Sequence, residues 1–354
     1  MIPLREARIG YAGYSRDFSA PGDRRRFLAY ARERGLSFEY PRTGADYDLV
    51  IVTQNADLTG WAARRTQKGA NFRLVFDLVD SYFEQKRLDE RFLKGIGRFV
   101  EGRDSRLSPD FRATLKRTCR AADAVLCATA EQEATISAYN GRIAQSFDWF
   151  GDELGPRKQD YSRGERLRLV WEGQVGTLRS IRALREPLNA LRDRVELNVV
   201  TDPSMARYYG RLGTIRAEEI LAGIDCPLTV TPWRKEDFWR HIIAADVAII
   251  PMDGYHSMIL AKPDNKLILL WKLGMPVLTG GTAAYRRAMA GAGLDMVCET
   301  PADWRAKLEM LAAAPAAELA RLGGQGHDHA QLAYDLDAFC APFDRIFTEL
   351  GFSV

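Results

Sequence analysis

"AKPDNKLILLWKLGMPVLTGG" (261–281) decides how this chain is read. Two lysines, a proline, an aspartate and an asparagine lead into a run of Leu and Ile, which Gly274 ends before Pro276-Val277-Leu278 and a glycine pair. Pro263 suits the approach to a helix and Gly274 its left-handed stop, so the spacing predicts a helix from about Asp264 to Gly274, then a short buried strand. A helix start offers free N–H groups and a partial positive charge, which favour phosphate. Lys262 and Lys266 add full charges there, and Asn265 adds an amide donor. Two readings stand side by side: one wall of a diphosphate site, or a buried helix whose lysines face water.

Around this segment, short apolar runs alternate with longer periodic stretches, the pattern of parallel sheets covered by helices. In the first half, ARIGYAG (7–13) reads as a strand and DRRRFLAYARERG (23–35) as one helix stopped by Gly35. YDLVIVTQ (47–54), FRLVFDLVDSYF (72–83), AVLCAT (124–129) and IAQSFDWF (143–150) read as further strands. GDELGPRKQDYSRGERL (151–167) is polar and rich in Gly and Arg, and reads as a linker. The pattern then restarts with strand RLVWEGQ (168–174), a helix over LRSIRALREPLNALRD (178–193), and strands at 196–202, 228–233, 246–253 and 295–300. Two α/β halves joined by one linker predict two doubly wound sheets with a cleft, in domains 1–155 and 156–335, and a terminal helix in 336–354. Ligands of such sheets bind outside the C-terminal ends of the strands.

Composition narrows the function. The 354 residues are 46% hydrophobic and 27% charged, which excludes disorder. Fifty basic against 47 acidic residues argue against broad nucleic-acid binding. Cysteines 119, 127, 226, 298 and 340 form no Cys-x-x-Cys or Cys/His cluster, so neither a disulfide framework nor a zinc site is indicated. With no signal-like N-terminus and no apolar run long enough to span a bilayer, a cytoplasmic protein is expected, with any membrane contact peripheral. Charge is nevertheless uneven: GDRRRFLAYARERG (22–35) and GRFVEGRDSRLSPDFRATLKRTCR (97–120) are Arg-rich. They read either as solvated helix faces or as a patch for an anionic acceptor or a membrane surface.

A second motif joins the first. In WEGQVGTLRSIRAL (171–184) a strand runs into Gly173-x-x-Gly176, and Arg179 follows at the start of a predicted helix. Glycines there let the backbone approach a ligand closely. In order along the chain, AADAVLCATAEQEATI (121–136), VWEGQVGTLRSIRAL (170–184), TPWRKEDFWRHIIAADVAIIP (231–251) and KPDNKLILLWKLGMPVLTG (262–280) resemble the motifs of the GT-B glycosyltransferases, in particular the GT4-like group (glycosyl transferases group 1). VFDLVDSYF (75–83) is similar to the group's acidic strand end.

That resemblance implies two Rossmann-like domains facing across a cleft, with the C-terminal helix crossing back to the first. It implies transfer of a sugar from a nucleotide-sugar to a glycan or lipid-linked saccharide, as in polysaccharide biosynthesis. Gly173, Gly176, Arg179, Trp233, Arg234, His256, Lys262, Asn265 and Lys266 would then bind the donor. Tyr14, Ser15, Arg16, Asp23, Arg24 and Asp77 would face the acceptor, and Asp80 would act as base. In this fold, cations and helix N-termini carry the charge that a metal carries elsewhere, so no metal or other cofactor is expected. The chain departs from the pattern at Ala261 and Leu269, where many retaining members carry glutamates, and in having all four histidines (241, 256, 327, 329) in its second half. Two alternatives follow: a nucleotide-sugar-modifying enzyme of the 2-epimerase kind, or a scaffold that kept the fold without catalysis.

Overall fold

The computed structural model describes every residue except 43, 152–153, 207–212 and 253–256. The chain divides into two compact units: Met1–Trp149 with His256–Pro263 and Tyr334–Val354, and Phe150–Tyr255 with Asp264–Ala333.

The first unit contains β1 (Ile2–Pro3), β2 (Ile9–Ala12), β3 (Phe38–Glu39), β4 (Leu49–Thr53), β5 (Arg73–Leu78), β6 (Ala124–Cys127) and β7 (Ile143–Gln145). Six of these form one sheet in the order β3-β2-β4-β5-β6-β7, and every pairing is parallel. Every residue of β4 (LVIVT) and of β6 (AVLC) is buried, as expected of strands covered on both faces. The chain enters at β2, steps out to β3, then returns past β2 to β4. The topological switch therefore lies between β2 and β4, and a ligand is expected outside their C-terminal ends.

The second unit holds β8 (Leu167–Glu172), β9 (Val195–Val200), β10 (Ser204–Ala206), β11 (Thr214–Arg216), β12 (Leu228–Thr231), β13 (Val247–Ile250), β14 (Val277–Gly280) and β15 (Val297–Cys298). Its six-stranded parallel sheet runs β12-β9-β8-β13-β14-β15, the dinucleotide-binding order, with the switch between β8 and β13. The antiparallel pair β10–β11 is inserted after β9. The helix of the opening segment spans Asn265–Lys272. Gly274, at φ 75°, donates to the Trp271 carbonyl and Met275 to that of Leu270, which closes the helix end.

One device recurs in both units. Asp123, just before β6, accepts the Leu74 N–H at 2.8 Å and is gripped by the Arg65 fork. Asp246, just before β13, accepts the Arg168 N–H at 2.8 Å and is gripped by the Arg168 guanidinium. In each case a carboxylate and a charge-assisted fork fix the register of two neighbouring parallel strands.

Three expectations are corrected. The helix read over 23–35 is broken: Pro21–Arg24 and Phe27–Arg34 are separate, and Arg26 lies at φ −125°, ψ −111°. The break turns the Arg26 side chain into the interior, where it is fully buried. The segment read as a helix at 178–193 is mostly a tighter 3₁₀ stretch, Val175–Leu184, before a short α-helix, Arg185–Ala190. Residues 156–166, read as a linker, have no regular structure but are fastened to the second unit. Lys158 Nζ donates to Ile243 O at 2.8 Å, and the Tyr161 hydroxyl to Gly274 O at 2.7 Å. The helix Leu88–Val100 was not read from the sequence at all.

The last helix, Leu336–Glu349, packs on the first sheet through Phe339, Phe343, Ile346 and Phe347. Tyr30 stacks on Phe343 at 4.7 Å, and its hydroxyl donates to Asp344 at 2.7 Å. β16 (Phe352–Ser353) then pairs in parallel with β1. Phe343→Ala removes a fully buried ring from this contact and is expected to lower unfolding stability by about 3–5 kcal/mol in a denaturant titration. A loss under about 1 kcal/mol would mean that the helix does not stabilise the first unit.

Candidate functional site

In the first unit the loop after β2 lies at the switch point, and Asp23 organises it. Its Oδ1 accepts from the Tyr11 hydroxyl (2.8 Å) and the Tyr14 N–H (2.7 Å), and its Oδ2 from the Ser15 N–H (3.0 Å) and hydroxyl (2.9 Å). Any side chain at Gly13 would collide with that carboxylate. Asp23 is fully buried, so it holds Tyr14 and Ser15 in place and does not present itself to a ligand. Arg24 donates to the Ser19 carbonyl of the same loop.

Asp77 is likewise withdrawn. Both it and Arg26 are fully buried and joined at 2.6 Å, and Arg26 also donates to the Ser146 carbonyl at 2.8 Å. Asp80, two residues past β5, is half-buried. Its N–H donates to Gln54 Oε1 at 3.0 Å, and its carboxylate accepts from Gln54 Nε2. Gln54 directly follows β4, so Asp80 stands at the same C-terminal edge.

Sequence reading missed Asp148. Its carboxylate lies 3.9 Å from Arg26, and burial, reinforced by Asp77 and Asp80 and opposed by Arg26 and Arg25, pushes its pKa up to about 6. Burial, with Asp77 and Asp80 nearby, also holds the Tyr14 hydroxyl protonated. The signal for Asp148 was present: an acid between two aromatics, three residues past the last strand of the first half. Phe147 and Trp149 pack against Phe339 of the last helix.

Arg16 lines a groove of about 730 Å³ in this unit, together with Tyr40, Asn55, Trp61, Arg64, Arg103 and Arg106. Its acid, Asp57, is spent on the Gly60 and Ser105 N–H groups. Four arginines against that one acid make the groove cationic, and Arg16 and Arg64 lie over its Tyr40 and Trp61 rings at 5.6 and 5.1 Å. Another groove, of about 550 Å³ with Asp46, Asp48 and Phe72 on its walls, opens at the opposite, N-terminal ends of β4 and β5.

In the second unit, Gly173 and Lys266 come together at the switch point. The Lys266 ammonium donates to the Glu172 carbonyl, lies 3.7 Å from the Glu172 carboxylate and rests over the Trp171 ring at 5.0 Å. A Cβ on Gly173 would sit 2.7 Å from Lys266 Nζ, so a side chain there would make the ammonium shift. Asn265 begins the helix that carries Lys266. Trp233, just past β12, stacks on Phe238 at 5.4 Å and donates its backbone N–H to Thr201 O. Its indole N–H and the Thr201 hydroxyl are both buried without a partner among the described residues. These two unmet polar atoms stand at the C-terminal ends of β12 and β9. Arg234 and Arg179 are exposed, and Gly176 lies near the Met205 side chain.

Lys262 groups with the first unit, half-buried after the short helix Ser257–Ala261. Ala261 is buried with its carbonyl facing the Thr129 hydroxyl, and Leu269 is buried in its helix. His256 lies outside the described residues. The chain's two Asp-x-Asp triplets are structural: Asp48 accepts the Arg8 N–H ahead of β4, and Asp335 caps the last helix through the Ala338 N–H. Among the described residues no three His, Cys, Asp or Glu side chains are grouped to hold a metal, and no helix is long and apolar enough to cross a membrane.

No family profile and no curated protein matches the sequence. Solved structures do match. HepE of Anabaena, determined with UDP and glucose, superposes at a TM-score of 0.63 with 12% identity over 97% of this chain and 100% of its own. Sucrose-phosphate synthase from Thermosynechococcus elongatus gives 0.58 and 14% over 92% and 76%. A glycosyltransferase from Rickettsia africae gives 0.58 and 9% over 91% and 87%. The chain has the GT-B fold that these enzymes share.

Asp148 yields a test of the first-unit cluster. Its raised pKa means that the folded state keeps the proton while the unfolded chain has already lost it. Its contribution to stability is thus greatest below about pH 4 and falls as pH rises towards 6. Asp148→Asn removes that titration. The variant's stability relative to the parent is expected to rise between pH 4 and 7, by at most about 3 kcal/mol. A relative stability that falls over this range would show the carboxylate held ionised by its arginines.

Proposed function

We propose that this chain is a metal-independent glycosyltransferase, moving a sugar from a nucleoside-diphosphate sugar to a saccharide acceptor, free or lipid-linked. The observation that carries the reading is the Lys266 ammonium held beside Gly173 at the switch point of the second sheet. An ammonium has three donors, and Glu172 supplies two oxygen partners, which leaves a direction for phosphate. The start of the Asn265–Lys272 helix adds its N–H dipoles. Arg179 is a further cation for the diphosphate, and Trp233 and Thr201 offer unmet polar atoms to the nucleoside. UDP is the first nucleotide to test, since HepE was determined with it.

In the reaction, the acceptor oxygen bonds to the anomeric carbon as the bond from that carbon to the diphosphate oxygen breaks. The departing oxygen keeps the electron pair, and Lys266 neutralises the charge that develops. The acceptor hydroxyl's proton passes to a carboxylate of the first unit. A carboxylate with a pKa near 6 is ionised at neutral pH and still basic enough to assist, which favours Asp148 beside Asp80. The arginines of the first unit's groove suit an acceptor with an anionic group.

The buried, apolar Ala261 and Leu269 keep a second reading in view, a scaffold without catalysis. Calorimetric titration with UDP, GDP, CMP and ADP, without added metal, separates the two. One nucleotide is expected to bind, about tenfold or more weaker in Lys266→Ala, the scale of a lost charged hydrogen bond. Asp148→Asn should keep that affinity while lowering kcat about a hundredfold or more. If none of the four binds, the transferase reading falls.

A further inference from the structure

The helix Leu88–Val100 is built inside out. A surface helix ordinarily turns its apolar stripe to the core and its charges to water. Here the cations face the protein, while Asp89 stays exposed beside Arg87. Arg91 forks onto Asp110, and Lys94 lies over the Tyr82 ring at 3.1 Å and the Phe111 ring at 4.7 Å. Arg98 is buried, bonded to Asp104 at 2.6 Å and to the carbonyls of Gln54 and Ala56. This inner face is dry enough to push the Lys94 ammonium down to about 7. Gly95 lets the helix lie directly on the 108–109 backbone, where any Cβ would strike the Pro109 carbonyl.

The opposite face carries Leu88, Phe92, Leu93, Ile96, Phe99 and Val100, all exposed, Leu93 at 58% and Val100 at 71%. Their spacing places them in one stripe. Leu107, beyond the helix, is exposed as well. A contiguous apolar stripe of this kind marks a surface made to be covered.

Charge distinguishes the candidates for what covers it. Residues 86–120 contain eleven Lys and Arg against five Asp and Glu, while the remainder of the chain is slightly acidic. Lys86 and Arg87, the latter paired with Asp89 and Glu90, precede the stripe, and Arg103, paired with Glu101, and Arg106 follow it, both arginines on the wall of the cationic groove. A second copy packed face to face would set this positive rim against itself, which repels. An anionic lipid surface accepts both the apolar stripe and its basic flanks.

We propose that the Leu88–Val100 helix docks the protein on an anionic bilayer, lying in the interface with Phe92, Leu93, Ile96, Phe99 and Val100 among the acyl chains and the flanking Lys and Arg on the headgroup phosphates. This does not depend on the sugar-transfer reading, and its test uses neither nucleotide nor sugar. The full chain is floated with vesicles of phosphatidylcholine, with or without roughly one-third phosphatidylglycerol. Binding to the anionic vesicles is expected, weakened by salt. Leu93→Ser/Val100→Ser should reduce it about tenfold or more, and Arg103→Ala/Arg106→Ala should reduce it on anionic vesicles only. Thermal melting of both variants should match the parent, because the altered side chains are exposed. No binding to anionic vesicles, or undiminished binding by Leu93→Ser/Val100→Ser, overturns the proposal. So does a dimer in light scattering that the same variant dissociates, which would assign the stripe to a second copy.

Discussion

A guanidinium with no exposure to water is the constraint on which the first unit turns. Arg26 can be buried only if its donors are met by oxygen, because desolvating the charge costs several kcal/mol. Asp77 meets it with both carboxylate oxygens, Ser146 with a carbonyl, and Asp148 stands 3.9 Å away. Positions far apart in sequence are thereby drawn to one point at the C-terminal edge of the first sheet. The same requirement explains the broken helix: residue 26 leaves the helical conformation so that its side chain can turn inward. It also explains why Asp77 cannot serve a substrate, since both its oxygens are committed to Arg26.

The pair has a chemical consequence next door. Asp148 shares the cation with Asp77, yet Asp77 holds it far more closely. Asp148 is left with partial compensation for its burial, and its affinity for a proton rises. A site of this kind needs one carboxylate to be fully neutralised so that another is not. In the second unit the roles are reversed: a cation, Lys266, is held by the backbone and carboxylate of Glu172 in a place that a side chain at Gly173 would crowd.

The sequence disclosed the sheets because strands buried on both faces leave unbroken apolar runs, and it marked Gly274 because glycine suits a left-handed helix stop. Its failures around the first unit's site come from bonds that it does not display. The helix break at Arg26, the structural commitment of Asp77 and the role of Asp148 depend on partners about fifty to more than a hundred positions distant, and Asp23 is committed by a loop whose closure no local periodicity encodes. Asp23 and Asp77 look from the sequence like residues offered to a ligand. Only the bonds they accept show that the loop and the arginine have already claimed them.

The Leu88–Val100 helix escaped notice for a different reason. Periodicity shows that a helix has two faces but not which one meets the protein, and the usual assumption gives the apolar face to the core. Here Asp110, Asp104, two backbone carbonyls and two aromatic rings present acceptors and π-faces to the helix, so its cations are the side that finds partners. The Arg-rich run at 97–120 showed that charge is uneven within a near-neutral chain of 50 cations and 47 anions, but not that its cations turn inward. The helix's own cations, Arg91, Lys94 and Arg98, are consumed in holding it down, and this orientation is what leaves the apolar stripe facing outward.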